Sequence, residues 1–204
     1  MQINFIFAII ILIVSVILHE ISHGYAAYFL GDPTAKYQGR LSLNPLKHID
    51  IFGSIIFPII SYLLQGPIFG WAKPVPYNPY NLKGGKWGEA IVAVAGPSAN
   101  IFLALVFSVY VRTFGMTSLN ASAGALASYI VLVNIYLAIF NLIPIPPLDG
   151  SRVLASLFPL QFRDFVHKIE RYSFIVLIFF VVFLASFIQP LVAFLFHLFT
   201  GLAL

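Results

Sequence analysis

The sequence predicts an all-α polytopic membrane protein, a helical bundle of about five to six membrane segments with a re-entrant or short membrane-associated β element after the first helix. Three observations carry this. The 204 residues are 60% hydrophobic and only 9% charged, against roughly 25% charged in an ordinary soluble domain. Uncharged runs cover Ile3–Leu18, Ile51–Ala72, Ala90–Val111, Thr113–Leu148 and Tyr172–Leu204, each approaching or exceeding the ~20 residues that cross a ~30 Å hydrocarbon core. Basic residues, finally, fall between these runs in a lopsided pattern.

The first run, broken only by Asn4 and Ser15, has no Lys or Arg before it. A signal peptide would carry a positive leader and a small-residue cleavage site, so the segment is expected to remain as a helix to about Leu30, where Gly31-Asp32-Pro33 stops it. The second run is the doubtful span. Residues Ile51–Gln65 carry Gly53 and Pro58 and end at Gly66-Pro67, which gives only ~22 Å of helix, and the segment can dip in and return. If Lys36, Arg40 and Lys47, then Lys73, Lys83 and Lys86, then Arg152, Arg163, Lys168 and Arg171 share one side, only Arg112 of the eleven basic residues lies on the other. The positive-inside rule makes the rich side cytoplasmic and puts the N-terminus outside. The last run fits two short passes around Gln189-Pro190 or one kinked helix. With no repeat and no charged or Ser/Gly-rich linker, the chain reads as a single membrane-embedded domain over 1–204, with a C-terminal segment or helical hairpin at 172–204.

Composition also excludes functions. Eighteen charged residues are too few for a nucleic-acid footprint, which needs a dense basic face. The chain has no cysteine, which removes disulfides, iron–sulfur sites and thiol nucleophiles, and leaves His and carboxylates as the metal ligands. His19-Glu20-Ile21-Ser22-His23 lies near the inner end of the first helix. Residues four apart share a helix face, so both imidazoles reach one ion while Glu20 stands beside them to take a proton from water. Packing these groups between helices without a metal is the bland alternative; three ionisable residues within five positions of a membrane helix are costly without a partner.

Two imidazoles leave a catalytic zinc short of a third protein ligand. Asp149 follows the proline-marked exit Asn141-Leu-Ile-Pro144-Ile-Pro146-Pro147-Leu-Asp149-Gly150. From spacing alone, Asp149 as ligand and Asp149 as cap of the next helix are equally weighted. Gly96-Pro97-Ser98-Ala99-Asn100 reads equally as a close helix contact or as support for the site.

His19-Glu20-x-x-His23 together with the distant Asn141-x-x-Pro144-x-Pro146-x-Leu148-Asp149-Gly150 closely resembles the site-2 protease family of intramembrane zinc metalloproteases. Gly96–Asn100 is similar to a third signature of that family. Phe69-Gly-Trp71-Ala-Lys73-Pro-Val-Pro76 is similar to a stretch of its compact prokaryotic members. The resemblance spans about residues 5–155, which it implies as the catalytic core, and the sequence departs from larger members in having no PDZ or CBS insertion there. It implies one Zn2+ per chain held by His19, His23 and Asp149, Glu20 as general base, and Asn141 as a catalytic residue helping to hold substrate or its polarised carbonyl. It further implies a multi-pass protein of the prokaryotic cytoplasmic membrane, its active site toward the cytoplasm, acting on transmembrane or membrane-anchored proteins within the lipid bilayer; a regulatory membrane partner stays open.

Lys36–Leu43 is weighed as a strand offering its edge to an unwound substrate and, equally, as a basic loop on anionic headgroups; the resemblance favours the strand. His48 and His167 read as solvated loop residues, and His197, among Phe194, Leu195, Phe196 and Phe199, as an interhelical hydrogen-bonding residue. Two other classes compete with the protease: a metal-ion transporter, which needs polar residues continuing along several helices, and a silent binding module, which has no use for Glu20.

Overall fold

A computed structural model describes residues 5–56, 59–60, 63, 72–115, 121–158 and 173–204. Four long helices and two short ones carry the fold: α1 (Phe5–Phe29), α2 (Thr34–Tyr37), α3 (Lys86–Phe114), α4 (Ala121–Asn141), α5 (Asp149–Leu157) and α6 (Ser173–Thr200). Among the described residues, three helices are long and apolar enough to cross a membrane, Ile6–Phe29, Trp87–Phe114 and Ala121–Asn141. Phe187–Thr200 adds a shorter apolar stretch at the end of α6. The described residues are thus all-helical; the expected count of five to six segments also draws on 57–71 and 159–172, which lie largely outside them.

Each long helix has a sequence reason for its face. In α1 the first three turns expose Ile6, Phe7, Ile10, Ile13 and Val14, whereas Ser15, Ile17, His19, Ile21 and His23 turn inward. Apolar side chains facing out and polar ones facing in is the arrangement of a helix in lipid. Helix α3 is the hub, in contact with α1, α4, α5 and α6. It allows close approach because small residues are buried on it, Ala93, Ala104 and Ser108, as Ala127, Ser128 and Ala138 are on α4. A second layer of larger side chains, Val131, Ile135, Ile188, Val192 and Phe196, closes α4 against α6. Arg112, at the far end of α3, donates to the carbonyls of Leu198 and Phe199 at 2.6 and 2.5 Å. It satisfies carbonyls that the last turn of α6 leaves open.

The last run forms one helix that contains Pro190, not two passes. Of the doubtful span 51–65, Ile51–Ile56 is π-helical, and most of the remainder lies outside the described residues. The expected strand over 36–43 is corrected. Lys36 and Tyr37 complete α2, whose end is capped by backbone bonds from Gln38, and no strand occurs among the described residues. The physical reason is Arg40. Its buried guanidinium donates to the carbonyls of Lys47, Lys73 and Pro74, and this pulls the segment under the 73–76 chain instead of leaving it extended.

Where α1 ends, Asp32 is fully buried. Its carboxylate accepts from the Thr34 hydroxyl at 2.6 Å, the Asn81 amide at 2.9 Å and the Asn78 backbone N–H at 2.7 Å. Burial pushes the carboxyl up, and the hydrogen bonds from Thr34, Asn81 and Asn78 more than offset it, leaving Asp32 below the ordinary carboxylate value. A depressed folded-state pKa stabilises above the unfolded value of about 3.9 and is lost as pH falls through the folded value. Asp32→Asn should therefore melt below wild type by a constant margin above about pH 5, with the margin narrowing under about pH 3.9. Thermal unfolding of the detergent-solubilised pair measures it; a margin independent of pH contradicts the assignment.

Candidate metal centre

His19 and His23 lie one turn apart on the buried side of α1, and Asp149, 130 residues along the chain from His19, is the first residue of α5. A helix start can reach this depth because the Pro144–Pro147 segment ends α4 and turns the chain back. The turn is tight enough that a Cβ on Gly150 would lie 2.5 Å from the Ile143 carbonyl oxygen. Glycine at that position therefore lets α5 begin against the end of α4, with Asp149 aimed at α1. Three donor atoms converge: His23 Nε2 is 3.0 Å from His19 Nε2, and Asp149 Oδ2 is 3.1 Å from His19 Nε2 and 3.3 Å from His23 Nε2.

The outer nitrogens decide what these atoms present. His23 Nδ1 lies 2.7 Å from the Val92 carbonyl oxygen, and His19 Nδ1 lies 2.5 Å from Asn100 Oδ1. Both partners are acceptors, so each Nδ1 carries a hydrogen and Nε2 is the ring nitrogen left to bind inward. Two such nitrogens and a carboxylate oxygen facing one another at these distances repel unless positive charge sits among them. Ligands about 2.0–2.1 Å from a tetrahedral ion stand about 3.3 Å apart. The separations, the N/O donor set and the acceptor behind each ring all fit zinc.

Helix α3 supplies the wall behind the rings. A Cβ on Gly96 would come within 2.6 Å of both His19 Cε1 and His19 Nε2 and would also strike His23 Nε2. The small residue at the head of Gly96-Pro97-Ser98-Ala99-Asn100 is thus a requirement of the centre, and Asn100, fully buried, supports it directly. Both readings of this signature hold at once: close packing and site support are the same contact.

Glu20, half-buried, stands beside the pair, its Oε2 accepting from the Val75 backbone N–H at 2.8 Å. The loop that offers this N–H is fixed from below by Arg40 and by a bond of 2.9 Å from Lys73 N–H to the His48 carbonyl. Arg152 of α5 reaches the same loop, donating to the Tyr77 hydroxyl at 3.1 Å.

Two of the remaining histidines, His48 and His197, differ from expectation. His48 is buried, with Nε2 2.7 Å from the Ser42 carbonyl oxygen, because Arg40 and Lys73 close the loop over it. His197 is exposed and lies 3.2 Å from the Leu202 carbonyl oxygen, a bond at the end of its own helix instead of between helices. His167 lies outside the described residues. Asn141 donates at 2.9 Å to the Leu137 carbonyl of its own helix. Sequence reasoning missed Asn134, fully buried on α4, whose amide oxygen accepts from Asn100 Nδ2 at 2.8 Å. The available signal was a lone amide in the otherwise apolar run 129–140. Val75 was also missed, since a backbone N–H has no signature in residue type.

A membrane helix bundle closed around a His–His–carboxylate cluster with an adjacent glutamate defines a membrane-embedded zinc metallohydrolase class. Comparison with known proteins makes it specific. Residues 110–184 match the description Peptidase family M50. The chain is 41% identical over 191 residues to the protein named putative zinc metalloprotease YwhC of Bacillus subtilis (strain 168), covering 91% of this chain and 81% of that one. It is 30% identical over 142 residues to the protein named putative zinc metalloprotease Rip2 of Mycolicibacterium smegmatis, covering 70% of this chain and about half, 53%, of Rip2. It is 29% identical over 150 residues to zinc metalloprotease MJ0392 of Methanocaldococcus jannaschii, covering 72% of this chain and 33% of that protein. No solved structure matches. The chain belongs to peptidase family M50, the site-2 proteases, and is a zinc-dependent metalloprotease.

Because Gly96 has no room for a side chain, Gly96→Ala should weaken zinc binding by roughly tenfold or more while leaving helix content unchanged. Competition against a chromophoric chelator, with circular dichroism alongside, reads both; wild-type affinity in a folded variant contradicts the packing argument.

Proposed function

We propose that the chain is a zinc metalloendopeptidase hydrolysing peptide bonds of transmembrane or membrane-anchored proteins near the cytoplasmic face, with His19, His23 and Asp149 as zinc ligands and Glu20 as general base. The observation that carries it is the convergence of three donor atoms within 3.3 Å of one another at the buried end of α1. When bound there, zinc supplies a Lewis acid that acidifies water and polarises the scissile carbonyl. The protein's own groups do the rest. Glu20 takes the proton from the attacking water and delivers it to the leaving amine. The Val75 N–H holds one oxygen of that carboxylate, so its basic edge is fixed relative to the imidazoles next to it. The proton on each Nδ1 is kept by the Val92 and Asn100 oxygens, so neither ring competes with Glu20 as base. Asn141 remains the candidate for holding the substrate carbonyl, after releasing its bond to Leu137.

A helical substrate hides its carbonyls in its own hydrogen bonds, so the scissile segment must unwind before attack. We assign the site to the cytoplasmic side. Arg40 is tied to Lys73, and Lys83 N–H to the Leu30 carbonyl, while Arg152 meets Tyr77; these contacts gather the basic loops at the metal end. Arg112 closes the opposite end of the 29-residue α3, ~40 Å away along the helix. That asymmetry supports an N-terminus outside and an active site within. The whole chain acts as one membrane-embedded unit, its core at about 5–155.

Glu20→Gln keeps size and the acceptor for Val75 but removes the base. Cleavage of a panel of tagged single-pass proteins should fall by roughly 10²-fold or more while bound zinc stays at the wild-type level. Fragments that persist in Glu20→Gln contradict the assignment of the base.

A further inference from the structure

A hydrogen-bond chain runs away from the metal centre into α4, and each link fixes the direction of the next. It starts at a group that can only accept, the backbone carbonyl of Ile130. Asn134 Nδ2 lies 2.9 Å from that oxygen and 2.9 Å from Ser15 Oγ. Turning the amide over would set two oxygens face to face, so Nδ2 stays there and Asn134 Oδ1 faces α3. Asn100 Nδ2 donates to this Oδ1 at 2.8 Å and lies at the 3.5 Å limit from the Ser15 carbonyl. With its NH2 committed to two acceptors, Asn100 has only Oδ1 to offer His19 Nδ1, at 2.5 Å. Asn100 and Asn134 are fully buried and Ser15 nearly so, so water does not compete and a misdirected amide would be left unpaired at full cost.

We propose that Asn134, which touches neither the ion site nor Glu20, is a positioning residue for the metal centre. Acting through Asn100, it holds the His19 imidazole in the tautomer that carries its proton on Nδ1 and presents Nε2 inward. His23 needs no such relay, because the Val92 carbonyl is an acceptor that cannot turn over. His19 is backed by a side-chain amide, whose two ends differ only by orientation, and Asn134 is the group that sets that orientation. The inference rests on the reading of His19 as a zinc ligand.

The test is a double-mutant cycle read as zinc affinity of the full-length detergent-solubilised protein, measured by competition with a chromophoric chelator. Asn134→Leu frees the Asn100 amide to turn, and affinity should fall roughly 10- to 100-fold. In an Asn100→Asp background a carboxylate accepts from His19 Nδ1 whichever way it turns, so adding Asn134→Leu should leave affinity unchanged within about twofold. An equal loss in both backgrounds makes Asn134 a packing residue and overturns the proposal, as does no loss in the wild-type background. His19→Ala is run in parallel: if it binds zinc as tightly as wild type, the ligand reading itself fails, a result distinct from failure of the relay. A measurement independent of any variant's folding is the nitrogen-15 spectrum of the zinc-loaded wild-type imidazoles. His19 should carry its hydrogen on Nδ1 and bind through Nε2; ligation through Nδ1 with the hydrogen on Nε2 overturns the proposal.

Discussion

Three donor atoms held about 3 Å apart are the constraint around which this fold is arranged. Two imidazole nitrogens and a carboxylate oxygen so close repel one another unless positive charge lies among them. The surrounding protein forces the arrangement from three directions. Helix α1 spaces the rings by one turn, α3 backs each ring with an acceptor, and the proline-marked turn before α5 delivers the carboxylate. A divalent cation turns this repulsion into ligation, so metal binding and the tertiary contacts of α1, α3 and α5 stabilise one another.

The rest of the molecule serves that constraint at two depths. Within the bundle, small residues on α3 bring helices near enough for Gly96 to touch the imidazoles and for Asn100 to reach between α1 and α4. At the polar end, Asp32 and Arg40 each replace water for several backbone groups, Asp32 holding the 78–81 loop and Arg40 the 47 and 73–74 carbonyls. These two buried charges are the reason an irregular segment can lie ordered over the metal end and offer the Val75 N–H to Glu20. The carboxylate proposed as the base and the structural charges thus sit side by side but on separate residues.

Much of this was legible in the sequence, and for physical reasons. The His19–His23 spacing encodes a shared helix face whatever the tertiary fold, and uncharged runs of membrane length announce the helices. Asp149 was legible only as one of two readings, because a helix-capping aspartate and a ligand look alike until the third dimension brings α5 to α1. Lys36–Leu43 misled because a weak alternation says nothing about where an arginine side chain will find acceptors; Arg40 found them on the 47 and 73–74 carbonyls, over thirty residues away for the latter. His48 misled likewise, since charged neighbours in sequence do not exclude burial under a distant loop. Asn134 and Val75 were missed because their contributions, an amide orientation and a backbone N–H, exist only in the assembled geometry.

The most direct measurement is zinc K-edge X-ray absorption on the purified, zinc-loaded protein. The account predicts a first shell of nitrogen and oxygen at about 2.0–2.1 Å with the outer scattering of two imidazoles, the second protein ligand type being a carboxylate. A shell with a third imidazole, or with none, would show that the ion is held elsewhere and would contradict the central claim.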